Sequence, residues 1–183
     1  ESQPTEVVDL LREIISKISG SSESKTEPQA RSHEKQKVFI VHGHNQAVKE
    51  AVARYIEKLG PSVIILHEQP DEGRTIIEKF ESNSSVDYAV VLLTGDDTGA
   101  PVGAGEKESV SLRARQNVVF ELGFFAAKLG RSRVAVLYEN GVEMPSNFSG
   151  VLYIPIDPEG AWKFKLAQEL KTAGIRVDLN NAI

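Results

Sequence analysis

A lone carboxylate in an apolar stretch is the part of this chain best placed to do chemistry. Glu121 stands within Val118-Val119-Phe120-Glu121-Leu122-Gly123-Phe124-Phe125-Ala126-Ala127-Lys128-Leu129, which reads as a helix apolar almost all the way round. That pattern predicts a helix buried inside a domain rather than one lying on its surface. The helical neighbours of Glu121 at three and four positions are Asn117, Val118, Phe124 and Phe125. A carboxylate among such neighbours is costly unless it is paired or opens into a polar cleft. Two readings are open: a structural ion pair with Arg113 or Arg115, or a catalytic carboxylate facing a pocket.

Three further polar clusters have the residue types of a ligand site. His42-Gly43-His44-Asn45 follows one apolar run and Thr94-Gly95-Asp96-Asp97 follows another, while Arg113, Arg115 and Asn117 lead into the Glu121 helix. In open α/β sheets, ligands bind beyond the carboxyl ends of the strands near the switch point. With the first and third strands adjacent, the three clusters face one crevice, and Glu121 lies one turn below its rim. Each cluster also has a plainer use. Asn45 suits a helix N-cap, and a helix N-terminus there suits an anion such as a pyrophosphate. Asp96 and Asp97 suit either a capped turn or acceptance of hydrogen bonds from ribose hydroxyls. Arg113 and Arg115 suit solvent, an ion pair or, at a cleft, a phosphate. His42 and His44 lack an obvious third partner, so no metal site is expected.

Several familiar chemistries are excluded. Residues 99–109 resemble a phosphate loop, but Gly105-Glu106-Lys107-Glu108 stands where Walker A needs Gly-Lys-Ser/Thr. No Gly-x-Gly-x-x-Gly follows the first strand, and no Gly-x-Ser-x-Gly elbow is present. The chain is therefore neither a P-loop ATPase, a standard Rossmann dehydrogenase nor an α/β-hydrolase.

The elements that position these groups alternate regularly. Val38-Phe39-Ile40-Val41 reads as a buried strand. Residues 46–59 read as an amphipathic helix with Val48, Val52, Tyr55 and Ile56 on one face, stopped by Gly60-Pro61. Val63-Ile64-Ile65-Leu66 is a second strand, 75–80 a short helix, and Tyr88-Ala89-Val90-Val91-Leu92-Leu93 a third strand. A Gly-rich loop over 94–112 is long enough to bind or close over a ligand. Beyond the Glu121 helix and its Gly130 stop, Val134-Ala135-Val136-Leu137 is a fourth strand. Leu152-Tyr153-Ile154-Pro155 is a fifth, at an edge because Pro155 cannot donate to a ladder. Residues 162–173 form a last helix with Leu166 and Leu170 inward. Apolar strands alternating with helices predict an α/β fold with a parallel sheet covered on both faces. Five strands fit the flavodoxin-like order 2-1-3-4-5.

Upstream, residues 6–18 form an amphipathic helix with a stripe of Val7, Leu11, Ile14 and Ile18. It packs on its own domain, dimerises, or ends a preceding domain; it is too short for a coiled coil. Residues 19–36 are Ser/Glu/Lys-rich and read as a flexible linker, so the folded domain spans 37–183. The chain opens on Glu1 and its single Met is Met144, so it is expected to be part of a longer protein.

Composition narrows the function classes. Of 183 residues, 40% are hydrophobic and 26% charged, with a net charge of −5. An acidic chain is not built to bind nucleic acid. With no Cys, disulfides, thiolate metal sites and Cys nucleophiles are out, and a cytoplasmic setting is compatible. No apolar run reaches the roughly 18 residues of a membrane span, so no membrane partner is expected.

Three motifs in order resemble a family. Lys37-Val38-Phe39-Ile40-Val41-His42-Gly43-His44-Asn45, Leu93-Thr94-Gly95-Asp96-Asp97 and Arg113-Ala114-Arg115-Gln116-Asn117-Val118-Val119-Phe120-Glu121-Leu122-Gly123 are similar to the bacterial TIR-like domains of CBASS and Pycsar anti-phage effectors. The resemblance covers about 37–156 and is most specific in the third motif. It implies a three-layer TIR fold and NAD+ glycohydrolase activity, with NAD+ as substrate rather than cofactor. It also implies an upstream cyclic-nucleotide sensor, self-association through TIR domains, and NAD+ depletion in the infected cell. The family's catalytic glutamate falls at Glu121. Classical immune TIR domains carry a Ser/Phe-rich turn where His42-Gly43-His44-Asn45 stands here.

The chemistry this implies suits a single carboxylate. Glycosidases generally use two, because an alkoxide leaves poorly. In NAD+ the leaving nicotinamide is already a cationic pyridinium, so no general acid is required. An anion held near the resulting oxocarbenium ion lowers the barrier, and the same carboxylate can orient the ribose hydroxyls. In this scheme Asn117 orients Glu121 or the ribose, and His42, Asn45, Asp96 and Arg115 shape the site. Two other classes compete: a non-catalytic TIR scaffold that binds TIR partners, and a nucleoside deoxyribosyltransferase-like enzyme, which also uses a glutamate.

Overall fold

The structure is a computed structural model, and it describes residues 35–65, 85–100, 110–145 and 150–182. In chain order these form β1 (Lys37–Val41), α1 (Gln46–Leu59), β2 (Ser62–Ile65), β3 (Tyr88–Leu93), β4 (Asp97–Gly99), β5 (Ser111–Arg113), α2 (Gln116–Leu129), β6 (Val134–Tyr138), β7 (Val142–Glu143), β8 (Leu152–Pro155) and α3 (Ala161–Thr172). Single 3-10 turns cover Arg131–Arg133 and Leu179–Asn181. The expected helices at 6–18 and 75–80 lie outside the described residues, as does most of the 19–36 linker.

The main sheet has the order β2-β1-β3-β6-β8, all parallel, as the flavodoxin-like reading expects. Its order reverses between β1 and β3, so the turns following those two strands flank the switch point. β3 is central, and all six of its residues are buried. This is why its run is continuously apolar rather than alternating: helices cover both faces. Pro155 sits in the edge strand β8, where its missing N–H breaks no ladder.

Strand alternation sends side chains to two cores. Val38, Ile40, Val90 and Leu92 meet Val52, Ile56 and Leu59 of α1 and Leu166 and Leu170 of α3. Phe39, Val41, Val91 and Leu93 meet Val118, Leu122 and Phe125 of α2. Phe125 packs its ring 4.8 Å from that of Phe39, and its full burial is worth roughly 2–3 kcal/mol. α2 is thereby fixed across β1, β3 and β6, and Arg115 at its start reaches His44 just past the end of β1.

Three expectations are corrected. α2 is not buried all round: Val118, Leu122 and Phe125 are inside, but Phe120 is 68% exposed, and Asn117, Ala127 and Lys128 face solvent. Its apolar composition overstated its burial, because a helix on one face of a sheet needs only one inward stripe. The 94–112 stretch is not all loop. Its ends form the antiparallel pair β4 and β5, joined by β7 into a second, three-stranded sheet, and residues 101–109 lie outside the described residues. Finally, Gln36, read as linker, is bonded into Lys35–Ile183, which forms a unit by itself. Its carbonyl accepts from Ser62 N, and its side chain bonds Arg176 N and Gly174 O.

Candidate functional site

The turns after β1, β3 and β6 meet at one end of the sheet and are tied by side chains. Asn45 caps α1 by accepting from Val48 N at 3.2 Å, as a cap residue should. Its amide Nδ2 donates to Glu139 Oε1 at 2.7 Å, just past the end of β6. The other oxygen of Glu139 accepts from Gly95 N at 3.1 Å, just past the end of β3. One carboxylate therefore bridges two neighbouring turns.

A second carboxylate crosses between the same turns. Asp96 accepts from His44 N at 3.0 Å through Oδ1 and from the buried Thr94 hydroxyl at 2.7 Å through Oδ2. Gly43 is required beside it, since a Cβ at that position would run into the Asp96 carboxylate. His44 in turn meets Arg115 of the α2 approach, with Nη1 and Nε2 2.9 Å apart. A guanidinium only donates, so Nε2 is the acceptor in this bond. By the same logic, the His42 ring donates through Nδ1 to the Gly43 carbonyl at 2.7 Å.

Glu121 lies two turns further along α2 and is treated differently. Burial pushes its pKa from 4.5 up to about 7, and the charge of Arg115 pulls the other way. Among the described residues, no hydrogen bond or salt bridge engages its carboxylate. Neither Arg113 nor Arg115 forms the ion pair weighed as one of the two readings of Glu121. Arg113 pairs with Glu143 at 2.6 Å on the second sheet, and Arg115 acts on Glu121 through space while bonded to His44. A half-buried acid with a pKa near neutrality can change charge at working pH.

The structure thus brings together His42, Gly43, His44, Asn45, Thr94, Asp96 and Arg115, with Glu121 coupled to them through Arg115. It places Arg113 and Asp97 apart, facing each other across β4 and β5. Asn117 is exposed in the first turn of α2. A cavity of about 310 Å³ lies among Arg113, Ala114, Gln116, Val119, Glu143, Met144 and Pro145, on the flank of α2 away from Glu121. Asn45 and Asp96, weighed as ligand contacts, already spend their side chains on the rim itself. Among the described residues, no three His, Asp or Glu come together as metal ligands.

Sequence reasoning missed Glu139 and Glu143. Glu139 carried a signal: it follows an apolar strand directly, as His42 and Thr94 do. Glu143 carried none, because the second sheet that brings it to Arg113 is built from strands of two and three residues.

Comparison with known proteins adds a family. Residues 37–158 match the family described as CAP12/Pycsar effector protein, TIR domain. The chain is 51% identical to "Uncharacterized protein YuaY" of Escherichia coli over 80% of its own length and 48% of that protein. It is 35% identical to "Protein tirC" of Dictyostelium discoideum, over 67% of this chain and 65% of that one. It is 43% identical to "Pycsar effector protein BcPycTIR" of Burkholderia cepacia, over 38% of this chain and 22% of that one. The chain therefore spans about half the length of the first of these relatives.

Proposed function

Because this chain belongs to the CAP12/Pycsar effector TIR-domain family, we propose that it is the NAD+ glycohydrolase part of an anti-phage effector. It cleaves NAD+ to nicotinamide and ADP-ribose once it is assembled through its TIR domains. The signal comes from an upstream cyclic-nucleotide sensor, and the setting is the cytoplasm, where NAD+ depletion arrests the infected cell. Membership of a family that includes Pycsar effectors supports the defence role. The observation that carries the enzymatic reading is Glu121, a half-buried carboxylate without a bonded partner among the described residues.

NAD+ lies with its nicotinamide ribose against Glu121. As the N-glycosidic bond breaks, the bonding pair leaves with nicotinamide and positive charge appears on the ribose. Ionised Glu121 stabilises that charge in a water-poor site and holds the ribose hydroxyls. Water then attacks the sugar carbon and gives its proton to the Glu121 carboxylate, which leaves ADP-ribose and later releases the proton to solvent. Arg115 offers the donors of its guanidinium not used by His44 to the pyrophosphate, and the N-terminus of α1 adds its amides. His42, Gly43 and Thr94 shape the wall of the crevice.

The test is release of nicotinamide from NAD+ by the full chain, forced to assemble on vesicles through a terminal tag. The parent should release it, and Glu121→Gln, folded to the same extent, should lose about a thousandfold in kcat. Equal turnover by the Gln variant would remove Glu121 from the reaction. No release by the assembled parent would sink the enzymatic reading and leave a scaffold.

A further inference from the structure

We propose that Glu139 is a positioning residue for this site, latching the turn after β1 to the turn after β3 so that Arg115 is held in register with Glu121. The inference rests on the reading of the site given above, and neither the motifs nor the family match singles out Glu139.

The geometry is a closed circuit. Glu139 receives Asn45 Nδ2 at 2.7 Å and Gly95 N at 3.1 Å, one on each oxygen. Asn45 is covalently next to His44, and Gly95 is covalently next to Asp96. Asp96 then accepts from His44 N at 3.0 Å, closing the circuit, and His44 Nε2 accepts from Arg115 at 2.9 Å. Both sides of the circuit therefore reach Arg115 through His44. Glu139 is anchored from below, since its own N–H donates to Leu93 O at 3.0 Å. A shift of Glu139 moves both turns at once, and Arg115 is the cation whose charge reaches Glu121. Glu139 touches none of the reacting groups; it acts through Asn45, Asp96 and His44.

The polarity of the latch allows a swap. Both oxygens of Glu139 accept, so Glu139→Gln turns one of them into an NH2 facing a donor. Asn45→Asp keeps the α1 cap but sets two carboxylates against each other. Combined, Asn45→Asp and Glu139→Gln rebuild the pattern. The Gln NH2 donates to the Asp, the Gln oxygen still accepts from Gly95 N, and the net charge matches the parent.

The experiment compares the parent, both single variants and the double variant as full chains tethered to vesicles. It measures kcat and KM for NAD+, melting temperature, and hydrogen exchange at the amides of His44 and Gly95. Each single variant is expected to lose about tenfold or more in kcat, with a smaller change in KM, and the double variant to regain most of it. Exchange should quicken at Gly95 and also at His44, which Glu139 does not touch, and slow again in the double variant. Singles that melt earlier but turn over normally per folded molecule would overturn the proposal, as would faster exchange confined to Gly95. If the assembled parent fails to cleave NAD+, the function proposed above falls, and the exchange at His44 alone decides the latch. If a single variant does not fold, the double variant decides by the same two readouts.

Discussion

The rim formed by the turns after β1, β3 and β6 and the carboxylate farther along α2 obey opposite rules. At the rim, the acids Asp96 and Glu139 each have both oxygens engaged, and the amide of Asn45 serves a cap and a latch at once. Two turns down α2, Glu121 is taken from water with only the charge of Arg115, not bonded to it, in compensation. Satisfied polar groups fix geometry at little net cost, whereas an unsatisfied buried carboxylate lowers stability. Such a cost at one position, beside a rim where it is avoided, is what the proposed chemistry at Glu121 would ask of the fold.

The strongest way to break the comparison is Glu121→Gln, which should move activity and stability in opposite directions. Activity falls by about a thousandfold, as stated above. Stability follows from proton binding. Folded Glu121 holds its proton up to a pKa of about 7, against 4.5 in an unfolded chain. Its contribution is therefore fully present below pH 4.5, is lost as the pH rises to about 7, and stays lost above that. The Gln variant escapes this loss. Above pH 7 it should be more stable than the parent by on the order of 1–3 kcal/mol in urea unfolding. The gap should close below pH 4.5. A Gln variant that is less stable at pH 8 would mean that Glu121 is a paired structural acid after all.

Gly43→Ala tests the other side of the comparison. The added methyl displaces the Asp96 carboxylate, and with it the bonds to His44 N and Thr94. Loss of those bonds at a half-buried site should destabilise by about 1–3 kcal/mol. The loss should change little from pH 6 to 8, unlike that at Glu121. An unchanged urea midpoint would show that the rim is not a tight lattice and would weaken the contrast.

What the sequence showed and what it concealed divides along the same line. The main sheet was legible because burial on both faces writes itself as unbroken apolar runs, and α1 was legible from Asn45 to Gly60 because cap and stop are local signals. Glu121 was legible because a charge in an apolar helix is rare. The rim was legible only as a list of polar residues. Which oxygen meets which N–H depends on three turns separated by 94 positions between Asn45 and Glu139, and no local pattern encodes that. The exposure of Phe120 was hidden for a related reason: composition reports the helix, not which of its faces the sheet covers.

Arg115 joins the two regions, so the finest test is made there. Its guanidinium is bonded to the rim through His44 and pulls the Glu121 pKa down against burial. In Arg115→Ala that pull disappears while the burial remains, so Glu121 should ionise at a higher pH than in the parent. If the ionised form is the active one, the rise of kcat/KM with pH should move upward by the same amount. Arg115→Lys keeps a charge but replaces the planar fork with a single flexible ammonium. It should hold the midpoint near that of the parent while weakening NAD+ binding, and so separate the electrostatic part of the coupling from the geometric part. A midpoint that stays put in Arg115→Ala, or moves down, would place Arg115 outside the field felt by Glu121. The rim and the carboxylate would then be independent structures that merely share a helix.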